Sequence, residues 1–208
     1  MKTWILCLAL GVVPAFGGER RTDAPLTLYT EFQQTPPDSV LDAIQDELDA
    51  ILSVAGLRFG WYPLAEAGDR VSTQLAIIHF KGECNTEGLR PENAYPGPLG
   101  WTHISDGEII PFIDVNCQGI RLFVQRELLS MPAEVRETVF GKALARVLAH
   151  ELYHLLANTK AHGGSGIAKA YYTVDELVGP NLRFGKKECD ALRQRSVRLA
   201  VQAAIAGQ

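Results

Sequence analysis

Residues 147–156 read Val-Leu-Ala-His-Glu-Leu-Tyr-His-Leu-Leu, so His150 and His154 stand four positions apart with Glu151 beside the first. On a helix, residues four apart share a face with Cβ atoms about 5–6 Å from one another, and two imidazoles so placed can each offer a nitrogen to one Zn²⁺. Glu151 can then reach the open fourth position, where a carboxylate takes a proton from a metal-activated water and hands it to a leaving amine. The apolar neighbours Val147, Leu148, Ala149, Leu155 and Leu156 imply that this helix is buried around its polar triplet. Imidazole and carboxylate groups buried there are costly without a metal or hydrogen-bonding partners.

A catalytic zinc usually takes three protein ligands, so a third has to be sought. His162 is the first candidate. It follows His154 by eight residues, past Asn158-Thr159 and before Gly163-Gly164-Ser165-Gly166. Asn tolerates the left-handed conformation that ends helices, and the glycines let the chain turn back. Glu176 and Asp175 are the alternatives, 22 and 21 residues past His154, a separation suited to a ligand donated by a second helix. His79 falls in a strand pattern and reads as a core or cross-strand residue. His103 reads as a solvated strand residue or a substrate contact. No GxSxG, P-loop or dinucleotide fingerprint is present, which sets aside serine hydrolase, NTPase and Rossmann chemistry.

These groups need a scaffold, and the chain supplies its signals in order. Residues 26–32 alternate as a strand, and the segment 35–39 (Thr-Pro-Pro-Asp-Ser) stops it and starts a helix whose apolar residues Val40, Leu41, Ile44, Leu48, Ile51 and Leu52 recur at helical spacing up to Gly56. Strands follow over 57–64 and 74–80, so strand, helix and strand predict a crossover unit with parallel strands. Residues 82–100 hold four Gly and three Pro and predict a long surface loop. Asp106-Gly107 predicts a two-residue hairpin turn between strands 101–105 and 109–116. The segment 120–129 is ambiguous. A long helix is expected over 132–157, with Gly141 as a break or close-packing point, and an amphipathic helix over 186–204.

This order of elements, ending in an HExxH helix, resembles the zincin metallopeptidases, and the nearby third histidine makes it similar to their metzincin branch, over residues 26 to about 172. Metzincins write HExxHxxGxxH; here Ala157 stands at the glycine, Lys160 at the third histidine, and His162 two residues further on. Metzincins also place a Met in a turn beneath the metal, where this chain has Gly166-Ile167-Ala168. The resemblance implies an α+β, zincin-like fold: a mixed twisted sheet packed on an N-terminal helix and the HExxH helix, with a C-terminal helix. It also implies Zn²⁺ held by His150, His154 and His162, with Glu151 as general base of peptide hydrolysis. By the same resemblance Tyr171 or Tyr172 could donate to the oxyanion, the other role open to them being an aromatic wall of the pocket.

The 208 residues carry 20 Lys+Arg against 24 Asp+Glu, a formal net charge of -4, and 47% of them are hydrophobic. Such a chain can bury a core, and it lacks the basic face that nucleic acid or anionic lipid attracts. Lys2, the apolar run 4–16 and the small residues around Ala15 and Gly17 read as an export signal over residues 1–17, too short to serve as a membrane span. Residues 18–208 are then expected to form one domain, secreted or periplasmic, a monomer without stable membrane insertion. Removal of Cys7 with the signal leaves Cys84, Cys117 and Cys189, for which a Cys84–Cys117 bridge and one spare thiol are expected. The expected activity is zinc-dependent endopeptidase action on a peptide or protein lying extended against strand 101–105 or 109–116. The rivals are a zincin-like protein that binds zinc and cuts nothing, and an amidase acting on a non-protein amide.

Overall fold

The structure, a computed structural model, describes residues 26–68, 72, 74–90 and 95–206; the expected signal over 1–17 lies outside the described residues. Five strands, β1 (Leu26–Phe32), β2 (Phe59–Pro63), β3 (Gln74–Lys81), β4 (Gly100–Ser105) and β5 (Glu108–Asn116), join in the order β2-β1-β3-β5-β4. The first four of that order run parallel, and β4 is antiparallel to β5. The α+β class, the mixed sheet and the parallel crossover through α1 (Asp38–Leu52) therefore stand as expected. The hairpin turns on Asp106 and Gly107, both at positive φ (51° and 86°), the backbone that two-residue hairpins require. β4 is consequently an outer strand of the sheet, while β5 is interior.

One face of the sheet carries Leu26, Leu28, Ala76, Ile78, Phe80, Ile113 and Val115, all buried in one core with α1 and the long helix α3 (Ala133–Ala157). At Gly141 α1 and α3 are in close contact. A Cβ there would lie 2.6 Å from Ala43 Cβ and 2.7 Å from the Val40 carbonyl oxygen, so close packing, and no helix break, is the reason for the glycine.

The segment left ambiguous by its sequence is a helix, α2 (Cys117–Ser130), capped by Asn116, whose side chain accepts from the Gly119 N–H at 2.8 Å. Its pattern is obscured because Arg121 and Gln125 share the buried face with Ile120, Val124 and Leu128. Arg121 bonds Glu83 at 3.0 Å and the Glu87 carbonyl, contacts that hold the loop following β3. The Cys84–Cys117 disulfide fastens that loop to the start of α2, and Cys189 is free and buried. A short helix, α4 (Val174–Val178), and a longer one, α5 (Lys186–Ala206), complete the chain. No helix among the described residues is long and apolar enough to cross a membrane.

A buried ion pair locks α4 under α3. Arg146, fully buried, bonds Glu47 of α1 at 2.8 Å and converges through one nitrogen on the carbonyls of Glu176, Leu177 and Gly179 at 2.7–3.1 Å. A cation on the last carbonyls of a helix is favourably placed, and Glu47 keeps the charge paired. Arg183 adds a second contact to Glu47 at 2.7 Å.

Gly141→Ala tests the helix contact. Helix propensity alone favours alanine by up to about 1 kcal/mol, but the Val40 backbone cannot yield as a side chain can, so a net loss of about 1–3 kcal/mol is expected in reversible unfolding. An increase in stability would contradict the packing described.

Candidate metal centre

The last two turns of α3 carry His150, Glu151 and His154, and the chain then folds back on them. Asn158 ends the helix in the left-handed conformation (φ 50°, ψ 54°), and the Thr159 N–H donates to the His154 carbonyl at 3.0 Å. That turn also brings the Thr159 carbonyl to His154, whose Nδ1 donates to it at 2.7 Å. Further on, the Gly163 N–H bonds the Ala168 carbonyl at 2.7 Å and closes a loop around a short 3-10 turn, Gly166–Ala168. The middle residue of this turn, Ile167, presents its carbonyl to His150 Nδ1, again at 2.7 Å. Gly166 sits at φ 66° with the Arg183 carbonyl oxygen only 2.2 Å from where a Cβ would be, so no other residue fits.

Two carbonyl acceptors at the two Nδ1 positions assign the ring protons to Nδ1 and leave both Nε2 atoms as lone pairs. These Nε2 atoms face each other at 3.1 Å. Two lone pairs at that distance repel unless an electrophile lies between or beside them, and a His whose Nδ1 is held by a carbonyl is oriented as metal-binding histidines are. His162 completes the set. Its ring stacks on His150 with centroids 5.2 Å apart and meets His154 edge-on at 4.9 Å, and one nitrogen from each of the three imidazoles lies within 4.8 Å of the others. Burial drives the His150 pKa down to about 4, and the neighbouring imidazoles add to the effect against the Ile167 bond. His154 is lowered too, chiefly by burial. Neutral imidazoles with lone pairs converging are a donor set that fits zinc.

Glu151 is buried beside them and lines the same cleft. Burial raises its pKa to about 7, against the hydrogen bonds from Thr102. Tyr172 and Tyr171 both line the cleft, but the Tyr172 hydroxyl is engaged by the Ile167 carbonyl and lies 3.0 Å from His150 Nδ1, the side of that ring turned away from His154. It supports His150 from behind, and burial pushes its own pKa up. Tyr171 is exposed. Neither alternative carboxylate joins the imidazoles. Glu176 closes a capping box with Thr173 and pairs with Lys169, which holds its pKa low, and Asp175 sits beside it in the first turn of α4.

Two residues with no signal of their own in the sequence shape the rim. Thr102 of β4 reaches Glu151 across the cleft. Asp114 of β5, fully buried, binds Lys81 at 2.7 Å and His103 at 2.8 Å, with His79 at 3.4 Å. His79 and His103 are thus cross-strand partners of one carboxylate. Burial pushes Asp114 up, but the bonds from Lys81 and His103 together outweigh it and hold its carboxyl below the ordinary range. The cluster braces β4 where its pairing with β5 shifts register between Thr102 and Ile104.

No family model matches the chain, and no curated protein matches it in sequence. Among solved structures it is similar to a zinc-dependent peptidase from Methanocorpusculum labreanum (strain Z), with a TM-score of 0.50 and 14% identity, covering 80% of this chain and 99% of that one. At that identity the likeness is one of fold.

His150→Ala and His154→Ala are each expected to lose stoichiometric zinc, whereas His162→Ala weakens it by about tenfold or more and Glu176→Gln changes it little. Titration against a competing chelator ranks them; zinc retained in both helix variants, or a reversed order of the last two, contradicts the site. Zinc affinity is also expected to hold at neutral pH and fall as acid protonates the imidazoles. Protons and metal compete for the same lone pairs, and His150 and His154 yield theirs only below the usual imidazole range.

Proposed function

We propose that this chain is a secreted zinc metalloendopeptidase of divergent metzincin type, formed by residues 18–208 as a single monomeric domain after loss of the signal. The observation that carries the proposal is the pair of Nε2 lone pairs turned toward each other at 3.1 Å beside a buried carboxylate in an open cleft. His150, His154 and His162 would hold the metal, and bound zinc supplies Lewis acidity to the scissile carbonyl and to the attacking water. Relative to the metzincin pattern, the helix ends on Asn158, one position after Ala157, and the third histidine comes two positions late at His162. The later turn and the later ligand shift together, which supports a displaced version of the same arrangement. The backbone carbonyls of Thr159 and Ile167 do the orienting.

Glu151 performs the proton transfer. Its carboxylate accepts a proton from the attacking water and delivers it to the nitrogen of the leaving amine. Burial raises the Glu151 pKa in the metal-free chain, which favours a group that takes up a proton readily and gives it back. A carboxylate buried at this position has no place in a purely structural zinc site, which favours catalysis over the reading as a zinc-binding protein that cuts nothing. A peptide substrate is supported by the cleft, about 580 Å³, bounded by β4 on one side and α3 on the other and lined by Tyr95, Leu99, Phe123 and Val147. β4 pairs with β5 along one edge only, so an extended peptide can add to its other edge with side chains entering the apolar part of the cleft.

Glu151→Gln is expected to keep the metal and lose about 10²–10⁴-fold in hydrolysis of an unfolded protein substrate. A zinc-loaded wild type that cleaves no peptide in a broad library would turn the reading toward the zinc-binding protein, and cleavage of non-peptide amides alone would turn it toward the amidase.

A further inference from the structure

We infer that Thr102 is a positioning residue for Glu151, fixing the carboxylate from the opposite wall of the cleft. This rests on the proposed role of Glu151 as the proton-transfer group. The Thr102 hydroxyl lies 2.8 Å from Glu151 Oε2 and 3.0 Å from the Glu151 carbonyl oxygen, across 49 residues of sequence. A hydroxyl has one hydrogen to give, and the charged, nearer carboxylate oxygen is the stronger acceptor. The contact joins two elements distant in sequence, and the Thr102 backbone holds the same carboxylate. α3 brings the glutamate, and β4, the outer strand against which a substrate is proposed to lie, brings the hydroxyl.

Three further features serve that contact. Gly100 lets β4 come close enough. A Cβ there would fall 2.9 Å from Val147 Cγ1 and 3.1 Å from Glu151 Cγ, so any larger residue pushes the strand off the helix at the glutamate. The register shift between Thr102 and Ile104 sets the strand's path at this point. His103, next in sequence, is anchored by Asp114 at 2.8 Å on the sheet side, so the strand is held on both sides of the threonine's backbone. A glutamate side chain has three rotatable bonds, and in an open cleft a carboxylate without such a partner samples several orientations. Thr102 removes that freedom, its hydroxyl bonding Oε2 and its backbone also holding the carboxylate.

The test needs no turnover for its first arm. In the chelator-treated, zinc-free full chain, the thermal midpoints of wild type, Thr102→Val, Glu151→Ala and the double variant form a cycle. Thr102→Val keeps the shape and removes the hydroxyl; it is expected to lower the midpoint by about 3–6 °C in the wild-type background and by clearly less once Glu151 is alanine. Equal shifts in both backgrounds would overturn the inference. In the second arm, zinc-loaded Thr102→Val is expected to lose about 10- to 100-fold in kcat with zinc content and KM within about twofold of wild type, and Thr102→Ser to recover most of that loss. An unchanged kcat, a serine variant as impaired as the valine, or loss of zinc would overturn it. Gly100→Ala, which retains the hydroxyl but displaces it, is expected to show the same kcat loss, and serves if the valine variant does not fold. If wild type cleaves nothing, the proposed activity fails, while the first arm still decides whether Thr102 holds Glu151.

Discussion

Two imidazole nitrogens with their protons turned away from each other, 3.1 Å apart on one buried helix, are the constraint around which the rest of the molecule is arranged. Left alone, the pair is repulsive, and burial opposes relief by protonation. A bound cation would resolve the repulsion, and a third imidazole arriving from the return of the chain would give it a third partner. Every local feature near the pair serves its orientation. Asn158 turns the chain so that the Thr159 carbonyl takes the proton of His154, and Gly166 admits the tight approach that brings the Ile167 carbonyl to His150.

The scaffold keeps this arrangement from relaxing. Arg146 lies one helical turn before His150 and ties α3 to Glu47 of α1 and to the end of α4, so the segment carrying Tyr172 cannot drift from the helix it supports. On the far side, Asp114 collects Lys81 and His103 and stiffens the outer strand that faces Glu151. A buried ion pair of this kind adds little net stability over an apolar replacement, but loss of one partner leaves a charge stranded in the core. Its worth here is geometric.

Much of this was legible in the residues, and what was not has physical reasons. The HExxH spacing names His150, Glu151 and His154 because an i, i+4 pair on a helix needs no tertiary information. Asp106-Gly107 announces its hairpin because few dipeptides accept two positive φ angles. Helix α2 was obscured by Arg121 and Gln125, polar residues on a buried face; Arg121 bonds a loop that no periodicity reveals. Glu176 competed with His162 on spacing alone, and the capping box that occupies it becomes visible only once Thr173 begins a helix. Thr102 and Asp114 carried no signal because their roles come from strand register and from a contact spanning 49 residues.

X-ray absorption at the zinc edge on the purified, zinc-loaded protein decides whether three imidazoles from α3 and the returning chain hold the metal. A first shell of nitrogen and oxygen scatterers at about 2.0–2.1 Å is expected, with the outer-shell pattern of three imidazoles and no sulfur. A sulfur scatterer at about 2.3 Å, or a shell with one imidazole or none, would contradict it.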